Sequence, residues 1–157
     1  MKFIPINSEN RRQINEFIKE QWLSTEMVVR GEVVDMTVIE GVVAYDQEEI
    51  LGLATYRIDQ GELEIMSFDS VVENQGIGTQ LLNQIIAIAR NQNCHKLKLI
   101  TTNDNMNAIR FYQKRGFDMA KLYRNALEVS RRLKPSIPLI GDYGIPLRHE
   151  IEFEMLL

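Results

Sequence analysis

Between residues 62 and 101 the hydrophobic period changes twice, and no other stretch narrows the choice of fold as far. Residues 62–68 alternate, Leu63 and Ile65 against Glu62 and Glu64, as a strand with two unlike faces does. Residues 79–93 then set Leu81, Leu82, Ile85, Ile86, Ile88 and Ala89 on one wide apolar helical face, and Asn91 and Asn93 fall where it stops. Residues 97–101 return to a short strand. An amphipathic helix between two strands has to bury its face on a sheet, so the chain calls for a layered α/β arrangement.

The flanking sequence extends that pattern. Residues 2–6 read as a strand, and Asn7 or Ser8 offers a cap for a helix running to Trp22, with Ile14, Phe17 and Ile18 at helical spacing. Residues 28–39 carry no settled period. Residues 41–45, 50–58 and 62–68 form a meander of three antiparallel strands, with Asp59-Gln60-Gly61 as a hairpin turn. A helix is expected over 106–114, ended by Gly116, then a strand over 117–123, a helix over 125–133 and a last strand over 150–156. Strands dominate first and then alternate with helices: a mixed α/β sheet covered by helices, in one domain spanning residues 1–157.

Bulk properties exclude several classes. At 157 residues, 45% hydrophobic and 25% charged, the chain suits one globular domain. A net charge of −4 argues against a nucleic-acid partner, which a basic face would serve. No apolar run approaches the roughly 20 residues of a membrane span. Cys94 is the single cysteine, so no intrachain disulfide forms, and the start of the chain lacks the marks of a signal peptide. A cytoplasmic protein is expected.

Val72-Glu73-Asn74-Gln75-Gly76-Ile77-Gly78-Thr79 joins a strand to the strongest helix. Free N–H groups and the macrodipole make such a helix start a place for phosphate, and glycines let the anion come close. Two glycines alone also suit a plain tight turn. A dinucleotide fingerprint needs a third Gly or Ala where Leu81 stands, and a P-loop needs Gly-Lys-Ser/Thr, which is absent. About 30 residues on, Ala108, Phe111 and Tyr112 share a helical face that Gly116-Phe117 closes. Taken singly, Tyr112 reads as a half-buried core tyrosine. Beside a thiolate leaving group its hydroxyl, with an ordinary pKa near 10, would hold a proton to give.

Two motifs in this order resemble the GNAT acetyltransferases. The first is Ile65-Met66-Ser67-Phe68-Asp69-Ser70 leading into Gln75-Gly76-Ile77-Gly78-Thr79-Gln80-Leu81-Leu82; the second is Asn105-x-x-Ala108-x-x-Phe111-Tyr112-x-Lys114-x-Gly116-Phe117. The resemblance implies a mixed, mostly antiparallel sheet whose central strands, 62–68 and 97–101, run parallel and splay apart. It implies transfer of an acetyl group from acetyl-CoA to a primary amine, with no metal. Pantetheine would pair with the backbone at Phe68 and Ser70, and the pyrophosphate would sit on the amides of Gln75, Gly76, Ile77, Gly78 and Thr79. Asn105 would hold the pantetheine or orient its helix, and Tyr112 would be the general acid. Glu73 departs from the family pattern, which has Gln or Arg there, and is expected to turn to solvent.

The amine must also lose a proton. Glu64 is the direct candidate for the base, on the strand that lines the cleft; a solvated sheet face for Glu62 and Glu64, a water chain, or Asp69 are the alternatives. His95 and His149 lack metal-ligand spacing, and Arg131-Arg132 reads as a solvated helix end. By the same resemblance the acceptor side lies at residues 22–35 and 135–149, with Trp22 in the core or on the pocket wall. Glu26, Glu32, Asp35 and Asp142 there favour a cationic amine. The strand from Glu150 offers itself for pairing across a two-fold axis in a homodimer. Two other classes stay open at this stage: an acyl-CoA-binding sensor without catalysis, and a nucleotide module of another fold.

Overall fold

The computed structural model describes residues 1–73 and 75–157, so Asn74 of the glycine motif lies outside the described residues. The strands are β1 (Lys2–Pro5), β2 (Glu26–Val29), β3 (Glu32–Asp35), β4 (Glu40–Asp46), β5 (Glu49–Asp59), β6 (Glu62–Ser70), β7 (Lys96–Thr102), β8 (Asp118–Tyr123) and β9 (Glu150–Leu156). The helices are α1 (Arg11–Trp22), α2 (Ile77–Asn91), α3 (Met106–Lys114) and α4 (Ala126–Leu133). Seven strands form one sheet in the order β1-β4-β5-β6-β7-β9-β8, and β2-β3 is a separate ribbon. β6 and β7, sheet neighbours joined through α2, are the parallel pair. The chain divides into two compact units, Met1–Thr25 with Asp35–Leu97 and Leu157, and Glu26–Val34 with Lys98–Leu156.

In the first unit β4, β5 and β6 pair antiparallel in succession, as the meander predicts, and β1 adds antiparallel to β4. Asp59 faces Glu62 across a two-residue loop in which Gln60 and Gly61 both have positive φ, 50° and 75°, a twist that suits the strands it joins. Ile77, Leu81, Leu82, Ile85 and Ala89 of α2 are buried, so the apolar stripe packs where its period requires. Gly52 makes that contact close: a Cβ there would lie 2.8 Å from Leu81 Cδ1 and 2.9 Å from the Asp69 carbonyl oxygen. α1 starts later than expected, because Asn7 accepts from the Glu9 and Asn10 amides in a turn instead of capping a helix.

In the second unit the undecided residues 28–39 fold as the β2-β3 hairpin, turned by Arg30 and Gly31 at φ 49° and 75°, followed by a 3₁₀ turn over Met36–Val38 that belongs to the first unit. β9 has β7 on one side and β8 on the other. Its backbone groups are spoken for within the sheet, which corrects the expectation that it pairs across a two-fold axis.

Gly52→Ala tests the packing of α2 on β5. Overpacking against a backbone carbonyl should cost about 1–3 kcal/mol in a denaturant melt, with the secondary structure kept.

Candidate active site

The first unit supplies a strand, a turn and a helix start. On the β5-β6 ladder Thr55 faces Ser67, but the next pair is Tyr56 with Ile65, so Met66 is an extra residue on β6. That bulge shifts the alternation by one. Glu64 and Ser67, three apart, thus stand on one face, opposite Arg57 and Thr55. The Thr55 and Ser67 hydroxyls lie 2.6 Å apart, and Glu64 Oε1 lies 3.1 Å from Arg57 Nη2 and accepts from Nε at 3.2 Å. Glu64 is only 3% exposed, which overturns the solvated-face alternative for it; the sheet is covered on both sides here. Asp69, two residues beyond Ser67, accepts the Trp22 indole N–H at 3.1 Å. Burial pushes the Asp69 carboxyl above its ordinary value, and the indole bond offsets part of the rise.

β6 ends at Ser70, whose hydroxyl donates to the Val72 carbonyl. Glu73 is exposed. Gly76 caps α2 at φ 74°, and the first helical rung runs from the Gln80 amide to the Gly76 carbonyl. The amides of Gly76, Ile77 and Gly78 precede that rung. No acidic residue stands in the first turn to offset the dipole. Gln75 and Gly76 are exposed, so the helix start opens to solvent.

The second unit holds the tyrosine. Asn105 caps α3 by accepting the Ala108 amide at 3.1 Å, so its side chain orients the helix. Tyr112 is 5% exposed and packs edge-on against Phe111 and Phe117, with ring centroids 5.1 and 5.3 Å away. Ile109 and Tyr112 are the buried residues of α3; Ala108 and Phe111 are half-buried beside them, and the Arg115 guanidinium lies 3.7 Å over the Phe111 ring.

The segment after α4 is pinned by residues that sequence reading passed over. Asn103 Oδ1 accepts from the amides of Arg148 and His149, and its Nδ2 donates to the Pro146 carbonyl. Asp104, 6% exposed, accepts from Thr102 Oγ1 and from the Asp142 amide. Its carboxylate crowds Gly141, where any Cβ would collide with it at 2.1 Å. Arg131 donates to the Pro138 and Leu147 carbonyls, which corrects its reading as a solvated helix end. His149 Nδ1 accepts the Asn125 amide, a structural role. Asn103 and Asp104 directly precede the motif Asn105, and a polar triplet after a strand was the signal available for them.

The acidic residues expected on the acceptor side lie at the surface. Glu26, Glu32, Asp35 and Asp142 are all exposed, and Asp35 is occupied in capping a 3₁₀ turn through the Thr37 amide. The buried carboxylates of the second unit are instead Asp104, Glu150 and Glu152, the last accepting from Tyr123 Oη and lying 4.0 Å from Arg30. Among the described residues no three His, Cys, Asp or Glu side chains gather as a metal site would need.

Two outcomes follow from this geometry. Asn103→Ala removes three bonds to one segment, so amide exchange over residues 141–149 should quicken and stability fall by about 1–3 kcal/mol. Because its folded pKa is raised, Asp69 binds its proton more tightly in the folded state. Its charged form weakens the fold above that pKa, and the penalty fades as pH falls through it toward the unfolded value, about 3.9. Asp69→Asn should therefore melt above the parent at pH 7, with the gap closing toward pH 4, read by thermal melts across that range.

The profile of the Acetyltransferase (GNAT) family matches residues 10–117. The chain is 42% identical over 158 residues to the uncharacterized protein YdhI of Bacillus subtilis (strain 168), covering 100% of this chain and 99% of YdhI. A GNAT family acetyltransferase from Elizabethkingia anophelis, solved with acetyl-CoA bound, superposes with a TM-score of 0.71 at 23% identity, over 99% of this chain and 97% of that one. A Bacillus subtilis acetyltransferase in complex with CoA gives 0.69 at 16% identity, over 99% and 98%. With a glycine-capped helix start behind a bulged strand, and a family match running from α1 through Phe117, the chain belongs to the GNAT acetyltransferase family.

Proposed function

We propose that the protein moves the acetyl group of acetyl-CoA to a primary amine of a small molecule or peptide, by direct attack in a ternary complex, with residues 1–157 acting as one N-acetyltransferase domain in the cytoplasm. The observation that carries the cofactor reading is the start of α2. Gly76 in the left-handed region leaves the following amides ahead of the helical ladder, with no carboxylate in the first turn. Support for the cofactor also comes from the acetyl-CoA and CoA held by the two structural neighbours.

In this reading the pyrophosphate rests on the amides of Gln75, Gly76, Ile77, Gly78 and Thr79. Pantetheine runs along the β6 backbone at Phe68 and Ser70, and Asn105 holds the start of α3 in place for it. The amine nitrogen attacks the thioester carbonyl carbon, the C–N bond forms, and the tetrahedral oxyanion collapses with loss of the C–S bond. Tyr112 gives its proton to the departing CoA thiolate. Glu64 takes the proton lost by the amine, directly or through water, while Arg57 orients its carboxylate. Most of the rate comes from positioning and from stabilising the oxyanion.

Thermal melts with acetyl-CoA, CoA and NAD test the cofactor. Acetyl-CoA or CoA at 100 times its dissociation constant should add about 2.7 kcal/mol of stability, and NAD none. Loss of a general acid should lower kcat by about 10²–10⁴, so Tyr112→Phe should fall in that range with the acetyl-CoA KM little changed. An unchanged kcat would remove Tyr112 from the mechanism.

A further inference from the structure

β6 carries three acidic side chains, and two of them have a basic partner. Glu62 lies 3.1 Å from Lys96 and Glu64 lies 3.1 Å from Arg57. Asp69 has no cationic partner among the described residues; what it holds is the Trp22 indole N–H, on Oδ2. An asparagine would accept that N–H equally well, without the cost of keeping a charge partly out of water. A carboxylate at that position therefore lacks a reason inside the protein. Trp22 reinforces the point. A tryptophan serving only to fasten α1 to β6 would be covered, yet it remains 41% exposed. An indole face beside a carboxylate offers an alkylammonium both a counter-charge and a π surface. The strand alternation sets Asp69 one residue from Phe68 and from Ser70.

We propose that Asp69 and Trp22 recognise the ammonium group of a cationic acceptor, the carboxylate pairing with its N–H donors and the indole face covering the adjoining carbons. The inference rests on the acetyltransfer reading above and adds to it the residues that select the acceptor. The ammonium is bound there before it gives up its proton for attack on the thioester.

Trp22 is the only tryptophan of the chain, so its fluorescence reports this corner directly. The protein held with saturating CoA is titrated with n-butylammonium, benzylammonium, cadaverine and spermidine chlorides, beside n-butanol, benzyl alcohol and potassium chloride at matched ionic strength. At least one ammonium should give a saturable change that the alcohols and the salt do not. Asp69→Asn, which keeps the indole's acceptor, should weaken that binding ten-fold or more while the melt shows it folded. Silence of every ammonium, or an equal response in Asp69→Asn, overturns the proposal. Melts of the same samples with acetyl-CoA separate the two levels. A lost acetyl-CoA shift removes the acetyltransfer reading itself, whereas a retained shift with silent ammonium salts removes only the role of Asp69 and Trp22.

Discussion

The apolar face of α2 on the β4-β5-β6 meander is the contact on which the first unit depends. Leu81, Leu82, Ile85 and Ala89 are all at or near full burial. Burying side chains of this size contributes about 1.5–3 kcal/mol each for the larger ones. The same contact decides where the helix begins. Gly52 lets α2 lie close to β5 and to the Asp69 carbonyl, and Gly76 turns the chain from the end of β6 into the first helical rung. An anion site made of backbone amides is only as well placed as its helix, so core packing sets the geometry of the cradle proposed for the cofactor.

Charge inside this protein is handled locally. Glu62 meets Lys96, Glu64 meets Arg57, Asp104 meets a hydroxyl and an amide, and Glu152 meets Tyr123 and Arg30. Buried carboxylates persist when each lone pair finds a donor, and removing one partner is far more costly than the pair is worth. Against that pattern a half-covered carboxylate bonded only to a neutral indole stands out, and its raised pKa is the expression of the same imbalance.

Rigidity of the second unit has a different source. The segment after α4 contains little regular structure, yet Asn103, Asp104 and Arg131 hold it through backbone carbonyls and amides. Pro135, Pro138 and Pro146 limit its freedom before folding as well. Tyr143, at φ 59°, is kept in a left-handed conformation costly for an aromatic residue, next to the Asp104–Asp142 bond.

Elements and motifs with a local cause were legible in the sequence. α3 and β9 have the expected bounds, since a cap, a glycine and a period of 3.6 or 2 act within a few residues. The helix expected over 79–93 forms as α2, begun and ended two residues earlier. Residues 28–39 did not declare themselves, because a short polar hairpin is decided by what it packs on. Other facts needed partners far apart along the chain. The bulge at Met66 turns Glu64 onto the face of Ser67, and burial then follows from layers on both sides. Trp22 reaches Asp69 across 47 residues, and Asn103 reaches Arg148 across 45. Sequence by itself determined the fold family and, through it, the class of reaction. Only tertiary structure decided which carboxylates are buried and which are matched, because burial and pairing are properties of packed neighbours and not of a residue's own type.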